Sequence, residues 1–144
     1  MTIPGLKQSL GAATDRIAPA LTMDNGLAVE ELFRREQDQR LYSDDPLVHR
    51  KISARLWGEM QRASERLLSD AHRLRVPVLL QLAGRDTVVS NSASRDFGAR
   101  LAVRPGVIEY EGAYHALYFD PVAEKALGDL SVWLKQRLTE DVLI

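Results

Sequence analysis

Cysteine is absent from the chain, which excludes a disulfide framework, a zinc–thiolate site and a thiol nucleophile. No apolar run approaches the ~20 residues that span a bilayer, so no transmembrane segment is expected. Lys7, Gln8 and Asp15 interrupt the first apolar stretch early. A signal-peptide core is therefore not legible, and a cytoplasmic location is expected. Neither sign of charge predominates, at a formal net charge of −1, so nucleic acid is not an expected partner. There is no internal repeat and no low-complexity tract. His49 and His72 have no ligand partners at a spacing that suggests zinc. What is present, 144 residues of which 45% are hydrophobic, suits one soluble globular unit.

The chain is organised around Val76 to Asp120. Val78–Leu82 is a short apolar run after Pro77, followed by turn chemistry at Gly84-Arg85-Asp86; this pattern predicts a strand buried on both faces. Ser90 is placed to cap a helix whose apolar positions Ala93, Phe97 and Leu101 repeat at helical spacing. Arg104-Pro105-Gly106 ends that helix. Val107–Tyr110 is a second strand, stopped at Gly112. Strand, helix and strand in this order make a βαβ unit with parallel strands. Asp86 and His115 then both fall on loops at the carboxyl edge of the sheet, where open α/β sheets bind their ligands. An acid after one strand and a histidine after the next form the second half of a Ser-His-Asp arrangement. The carboxylate holds the imidazole tautomer, and the imidazole takes the serine proton.

Ala83-Gly84-Arg85-Asp86 with Val88-Val89, and Glu111-Gly112-Ala113-Tyr114-His115, resemble the acid and histidine motifs of α/β-hydrolases. The similarity is to the monoacylglycerol lipase and lysophospholipase group (serine aminopeptidase S33-like). Asp44-Asp45-Pro46-Leu47-Val48-His49 and Ile52-Ser53-Ala54-Arg55-Leu56 are similar to the end of that group's cap. The resemblance implies a partial α/β-hydrolase fold: a helical cap segment, residues 1–75, then part of the core, residues 76–144, as a parallel βαβ unit and a C-terminal helix. It implies a serine hydrolase of carboxylic esters, of monoacylglycerol or lysophospholipid type, with Asp86 as triad acid, His115 as base, and no metal or organic cofactor. Thr87, Ser90 and Asn91 differ from the basic and Asp-Pro residues common after the acid, and Ala116-Leu117-Tyr118 lack the acidic position common after the histidine.

The nucleophile of this class sits in a Gly-x-Ser-x-Gly elbow that precedes the acid and the histidine in the chain. None of the nine glycines is followed two residues later by serine. Ser90, Ser92 and Ser94 open a helix rather than sit on an elbow. The serine is accordingly expected outside these residues, the chain being the C-terminal portion of a hydrolase and inactive alone. Expected partners are a small acyl ester or lipid substrate and a missing N-terminal half, or a second copy. The non-enzymatic alternative is an inactive portion, or one half of a split protein, that binds a partner chain through an open sheet edge.

Elsewhere the patterns are plainer. Leu6, Leu10, Ala13 and Ile17 predict an amphipathic helix, ended by Pro19. Asp24-Asn25-Gly26 is a turn, and Arg34 to Arg40 is a solvated helical face. Tyr42 to Pro46 signals a loop and helix start, with helix from about Leu47 to Leu74. Ile52, Leu56, Met60, Ala63, Leu67 and Ala71 form one stripe, read as core packing or as the wall of an acyl-chain pocket. His49 is expected as a structural hydrogen-bond partner, and His72 at a helix end, where a cation favours the dipole. Asp120-Pro121 starts the last helix, with Val122, Ala126, Leu130, Trp133, Leu134 and Leu138 as its buried face.

Overall fold

The computed structural model describes residues 17–140. Apart from Ile17, the helix expected from Leu6 lies outside them. The chain runs through β1 (Thr22–Asp24), α1 (Val29–Leu32), α2 (Glu36–Asp44), β2 (Lys51–Ser53) and α3 (Ala54–Asp70). A 3-10 turn (Ala71–Arg73), β3 (Leu79–Ala83), α4 (Asn91–Arg100) and β4 (Gly106–Tyr110) follow. A second 3-10 turn (Leu117–Phe119) leads into α5 (Ala123–Glu140).

The expected βαβ unit is present. β3 and β4 pair in parallel, in register from Leu79 opposite Gly106 to Ala83 opposite Tyr110. Side chains of the pair alternate between two helices, as the pleat requires. Leu80 approaches Gly98 of α4, and Glu109 pairs with Arg95 of the same helix. On the other face Gln81 bonds the backbone of Ala126 in α5. Ala83, Tyr110, Ala113, Leu117 and Ala126 form the core there, flanked by Ile108 and Val122. The unit is thus three layers, α4 over the strand pair over α5.

Several expectations need correction. Among the described residues the parallel sheet has two strands, so β3 is buried only at Leu82 and Ala83, while Leu79, Leu80 and Gln81 stay partly exposed. A strand becomes buried on both faces and both edges only inside a wider sheet. Two short strands were not expected: β1 and β2 pair antiparallel, Met23 opposite Ile52. β2 therefore occupies the start of the helix expected from Leu47, and α3 begins at Ala54. Ser53 caps it by accepting the Leu56 N–H at 3.1 Å. Tyr42–Asp44 end α2 rather than start a helix, and Asp45 accepts the Leu47 N–H in a turn.

Of the expected stripe only Ala71, just beyond α3, is buried. Leu56, Met60 and Leu67 are about half exposed, and the rest of the buried side is made by Ala54, Trp57 and Gly58. A helix touched on one side buries only that side, whatever its second apolar face. Leu134 and Leu138, expected inside, are likewise exposed, because the strand pair ends before it reaches them. α2 buries no residue, as a mixed-charge face should.

Candidate active site

The acid loop is built by its own carboxylate. Asp86 follows β3 in a tight turn, its N–H donating to the Ala83 carbonyl at 3.1 Å. Its Oδ1 accepts the N–H groups of Val88 at 2.9 Å and Val89 at 2.8 Å. That leaves Oδ2 directed out of the turn. The helix beyond is fixed to the strand as well: Ser90 Oγ accepts the Ala93 N–H at 3.2 Å, and Asn91 Nδ2 donates to the Ala83 carbonyl at 2.8 Å.

The histidine loop is a sharp reversal after β4. Gly112 has φ of +77°, a conformation that a side chain would strain. Ala113 behind it is fully buried. The two loops are stitched backbone to backbone, with Gly84 N–H on the Tyr110 carbonyl and Arg85 N–H on the Ala113 carbonyl, each at 2.9 Å. A Cβ on Gly84 would lie 3.0 Å from both Glu111 Cα and the Tyr110 carbonyl oxygen. Glycine is what allows the loops to touch.

The result brings Asp86 and His115 together, Nδ1 to Oδ2 at 2.9 Å. A carboxylate only accepts, so Nδ1 carries the hydrogen, and in the neutral ring Nε2 keeps its lone pair. The aspartate side chain is 10% exposed and the histidine 34%. Among the described residues Nε2 has no hydrogen-bond partner. The imidazole is therefore oriented on one side and open on the other, the arrangement of a general base.

The other candidates stand apart from this pair. His49 Nδ1 accepts the Lys51 N–H, and His72 Nδ1 donates to the Ser69 carbonyl at 2.9 Å in the turn after α3. The hydroxyls of Ser90, Ser92 and Ser94 bond within the helix start. No group of three or more potential metal ligands occurs among the described residues. No helix among them is long and apolar enough to cross a membrane.

Sequence reasoning saw only part of what holds His115. Asp120, legible as a helix cap, is 2% exposed. Its Oδ1 accepts the Val122 N–H at 3.2 Å, and its carbonyl accepts the Ala123 N–H at 2.9 Å. Its Oδ2 turns back to accept the Tyr114 N–H at 3.1 Å, beside the histidine. A second device is a polar chain under the strands. Tyr118 donates to Gln81 Oε1 at 2.6 Å, and Gln81 Nε2 donates to the Tyr110 hydroxyl at 2.7 Å. That hydroxyl donates to Asp129 Oδ2 at 2.9 Å, which also accepts from Lys125 at 2.7 Å. Burial pushes the Tyr110 phenol above its ordinary pKa, with Asp129 adding to the rise. Hydrogen bonds from Lys125 and then Tyr110 hold Asp129 below the usual carboxylate range, and the bond to Asp129 raises Lys125. The glutamine inside an apolar strand was the available signal.

An acid and an imidazole joined across adjacent loops of a parallel α/β sheet place the chain in the α/β-hydrolase class. Within it, the chain belongs to the serine aminopeptidase S33 family, which it matches over residues 1–122. The solved monoacylglycerol lipase of Paleococcus ferrophilus is 32% identical, with a TM-score of 0.82 over 92% of this chain and 52% of that one. Phospholipase YtpA of Bacillus subtilis is 30% identical over 110 residues, 75% of this chain and 42% of that protein. A soluble variant of monoglyceride lipase from Saccharomyces cerevisiae, solved with a substrate analog, superimposes at a TM-score of 0.80 over 91% of this chain and 46% of that one. At 17% identity that likeness speaks for the fold alone. The chain spans about half the length of these proteins or less.

Proposed function

We propose that this chain supplies the acid and the base of a serine hydrolase of carboxylic esters, with Asp86 orienting His115 and the nucleophilic serine lying outside these residues. The observation that carries the reading is the 2.9 Å contact from His115 Nδ1 to Asp86 Oδ2, with Nε2 left open. Nε2 takes the proton of the serine hydroxyl as its oxygen attacks the ester carbonyl. It returns that proton to the departing alcohol, and then repeats the cycle with water on the acyl-enzyme. Asp86 keeps the ring in its tautomer and stabilises the imidazolium. The substrate is a monoacylglycerol or lysophospholipid type of ester; the names of the relatives support the first of these. Residues 1–75 serve as the cap and residues 76–144 as core.

Two assays test this. The chain alone, treated with a fluorophosphonate, is expected to remain unlabelled, since it holds no Gly-x-Ser; stoichiometric labelling at Ser90, Ser92 or Ser94 would contradict it. Combined with a polypeptide bearing the elbow serine and its strands, it is expected to hydrolyse medium- or long-chain acyl esters. His115→Ala in that complex is expected to abolish turnover with assembly intact. Turnover that survives the substitution would remove the catalytic assignment.

One observation favours a second reading. With two strands in the parallel sheet, β3 and β4 each leave an edge unpaired among the described residues, a template for another chain. Binding of a partner strand without any hydrolysis by the complex would decide for it.

A further inference from the structure

Two hydrogen bonds join the histidine loop to a segment more than eighty residues earlier. The Ala116 N–H, next to His115, donates to the Leu32 carbonyl at 2.9 Å. Arg35 Nη2 donates to the Phe119 carbonyl at 2.8 Å. Both bonds advance by three residues on each side, so Leu32–Arg35 grips the whole 3-10 turn that follows His115. The grip is itself braced. Arg35 Nε donates to Asp38 Oδ2 at 2.6 Å, and that aspartate side chain is only 12% exposed. Gln39 Nε2 donates to the Phe33 carbonyl at 2.9 Å. The Phe33 ring meets Phe119 edge-on, centroids 5.8 Å apart. Leu32 is buried.

Asp86 fixes the ring of His115 by one atom only. Rotation of the loop about that bond is opposed by Asp120 on the Tyr114 side and by Leu32 and Arg35 on the Ala116–Phe119 side. The Arg35 contact is charge-assisted, aimed by a carboxylate, and made to a backbone carbonyl that any sequence at position 119 would offer. We infer that Arg35 is a positioning residue for His115, acting through the Phe119 carbonyl to hold the 3-10 turn and, with it, the imidazole against Asp86. This rests on the catalytic reading of His115 for its consequence, but not for its test.

The test is nuclear magnetic resonance on the isotope-labelled chain bound to an unlabelled polypeptide that supplies the complementary strands, reading the His115 Nδ1–H proton and the exchange of the Ala116 amide. In Arg35→Met the Nδ1–H line is expected to broaden towards the solvent signal. Protection of Ala116 is expected to fall on the order of tenfold, the scale of one charge-assisted hydrogen bond. Amides of β3 and β4 should keep their protection. Arg35→Lys, which still carries a donor, is expected to recover part of both signals. Unchanged His115 and Ala116 signals in Arg35→Met would overturn the inference, as would a loss spread evenly over all amides. Should Arg35→Met fail to fold, Asp38→Asn frees the guanidinium without removing it and is expected to give a smaller loss at the same two protons. No loss there, or failure of both variants to fold, overturns the inference in favour of a purely structural strut. None of these signals depends on turnover. Asp86→Asn should erase the Nδ1–H line whatever Arg35 does; a line missing from the unaltered chain would count against the catalytic pair, with Ala116 exchange still judging Arg35.

Discussion

A single missing Cβ governs how closely the acid approaches the base. At Gly84 a methyl group would sit 3.0 Å from backbone atoms of the histidine loop, and backbone cannot rotate away as a side chain can. Gly84→Ala is therefore expected to cost about 1–3 kcal/mol, the usual range for overpacking, and to lengthen the Asp86–His115 contact. Urea unfolding of the chain bound to its complementary polypeptide measures the first effect and loss of the downfield imidazole proton the second. An alanine variant as stable as the parent, with that proton unmoved, would show that the loops are separated more easily than the backbone contacts imply. Asp86 itself was legible from the sequence because Gly-x-Asp after an apolar run is turn chemistry. The second task of Asp120 was not, since a helix cap gives no sign of what its other oxygen reaches.

Among the elements, α5 is tied to the strands by the Tyr110–Asp129–Lys125 group, and this link has a pH signature. Lys125 and Tyr110 are both raised, so each binds its proton more tightly in the fold than in the unfolded chain. Their contribution is complete below their ordinary values, about 10, and is lost as pH rises through the folded values. Asp129 is lowered, so its contribution is complete above the ordinary carboxylate value, about 4, and is lost as pH falls through the folded one. Asp129→Asn is expected to lower stability across the neutral plateau and to make both limbs less steep, as measured by unfolding of the same complex at fixed pH values. Limbs as steep as the parent's would mean that other groups set them. The order strand, helix, strand and helix along residues 76–144 was readable because short apolar runs bounded by turn residues alternate there with apolar positions at helical spacing. The pairing of β1 with β2 was not, because three residues carry no period. The exposure of Leu56, Met60 and Leu67 on α3 was not legible for a related reason: amphipathicity tells that a face seeks cover, and the cover itself is not encoded nearby.

Among the described residues, the uncovered apolar side chains of α3 and α5 and the open edges of the parallel strand pair act together. Apolar burial is worth ~25 cal/mol per Å², so several hundred Å² left in water forgo on the order of 10 kcal/mol, comparable with the ~5–15 kcal/mol that holds a domain together. The purified chain is expected to self-associate or to melt without cooperativity until a complementary polypeptide covers these surfaces. Light scattering and calorimetry measure this, and a monodisperse monomer with one sharp transition would contradict it. The parallel ladder bears on how such a chain reaches its fold. A hairpin can zip from its turn, but β3 and β4 cannot meet until the entire crossover between them has been closed into a loop, at an entropic cost repaid only afterwards. The contact between Asp86 and His115 lies at the far end of that closure, and the grip of Leu32 and Arg35 on the histidine loop is longer in range still. A partly folded chain, with α4 and α5 wound and the ladder still open, would therefore hold both residues and no oriented imidazole.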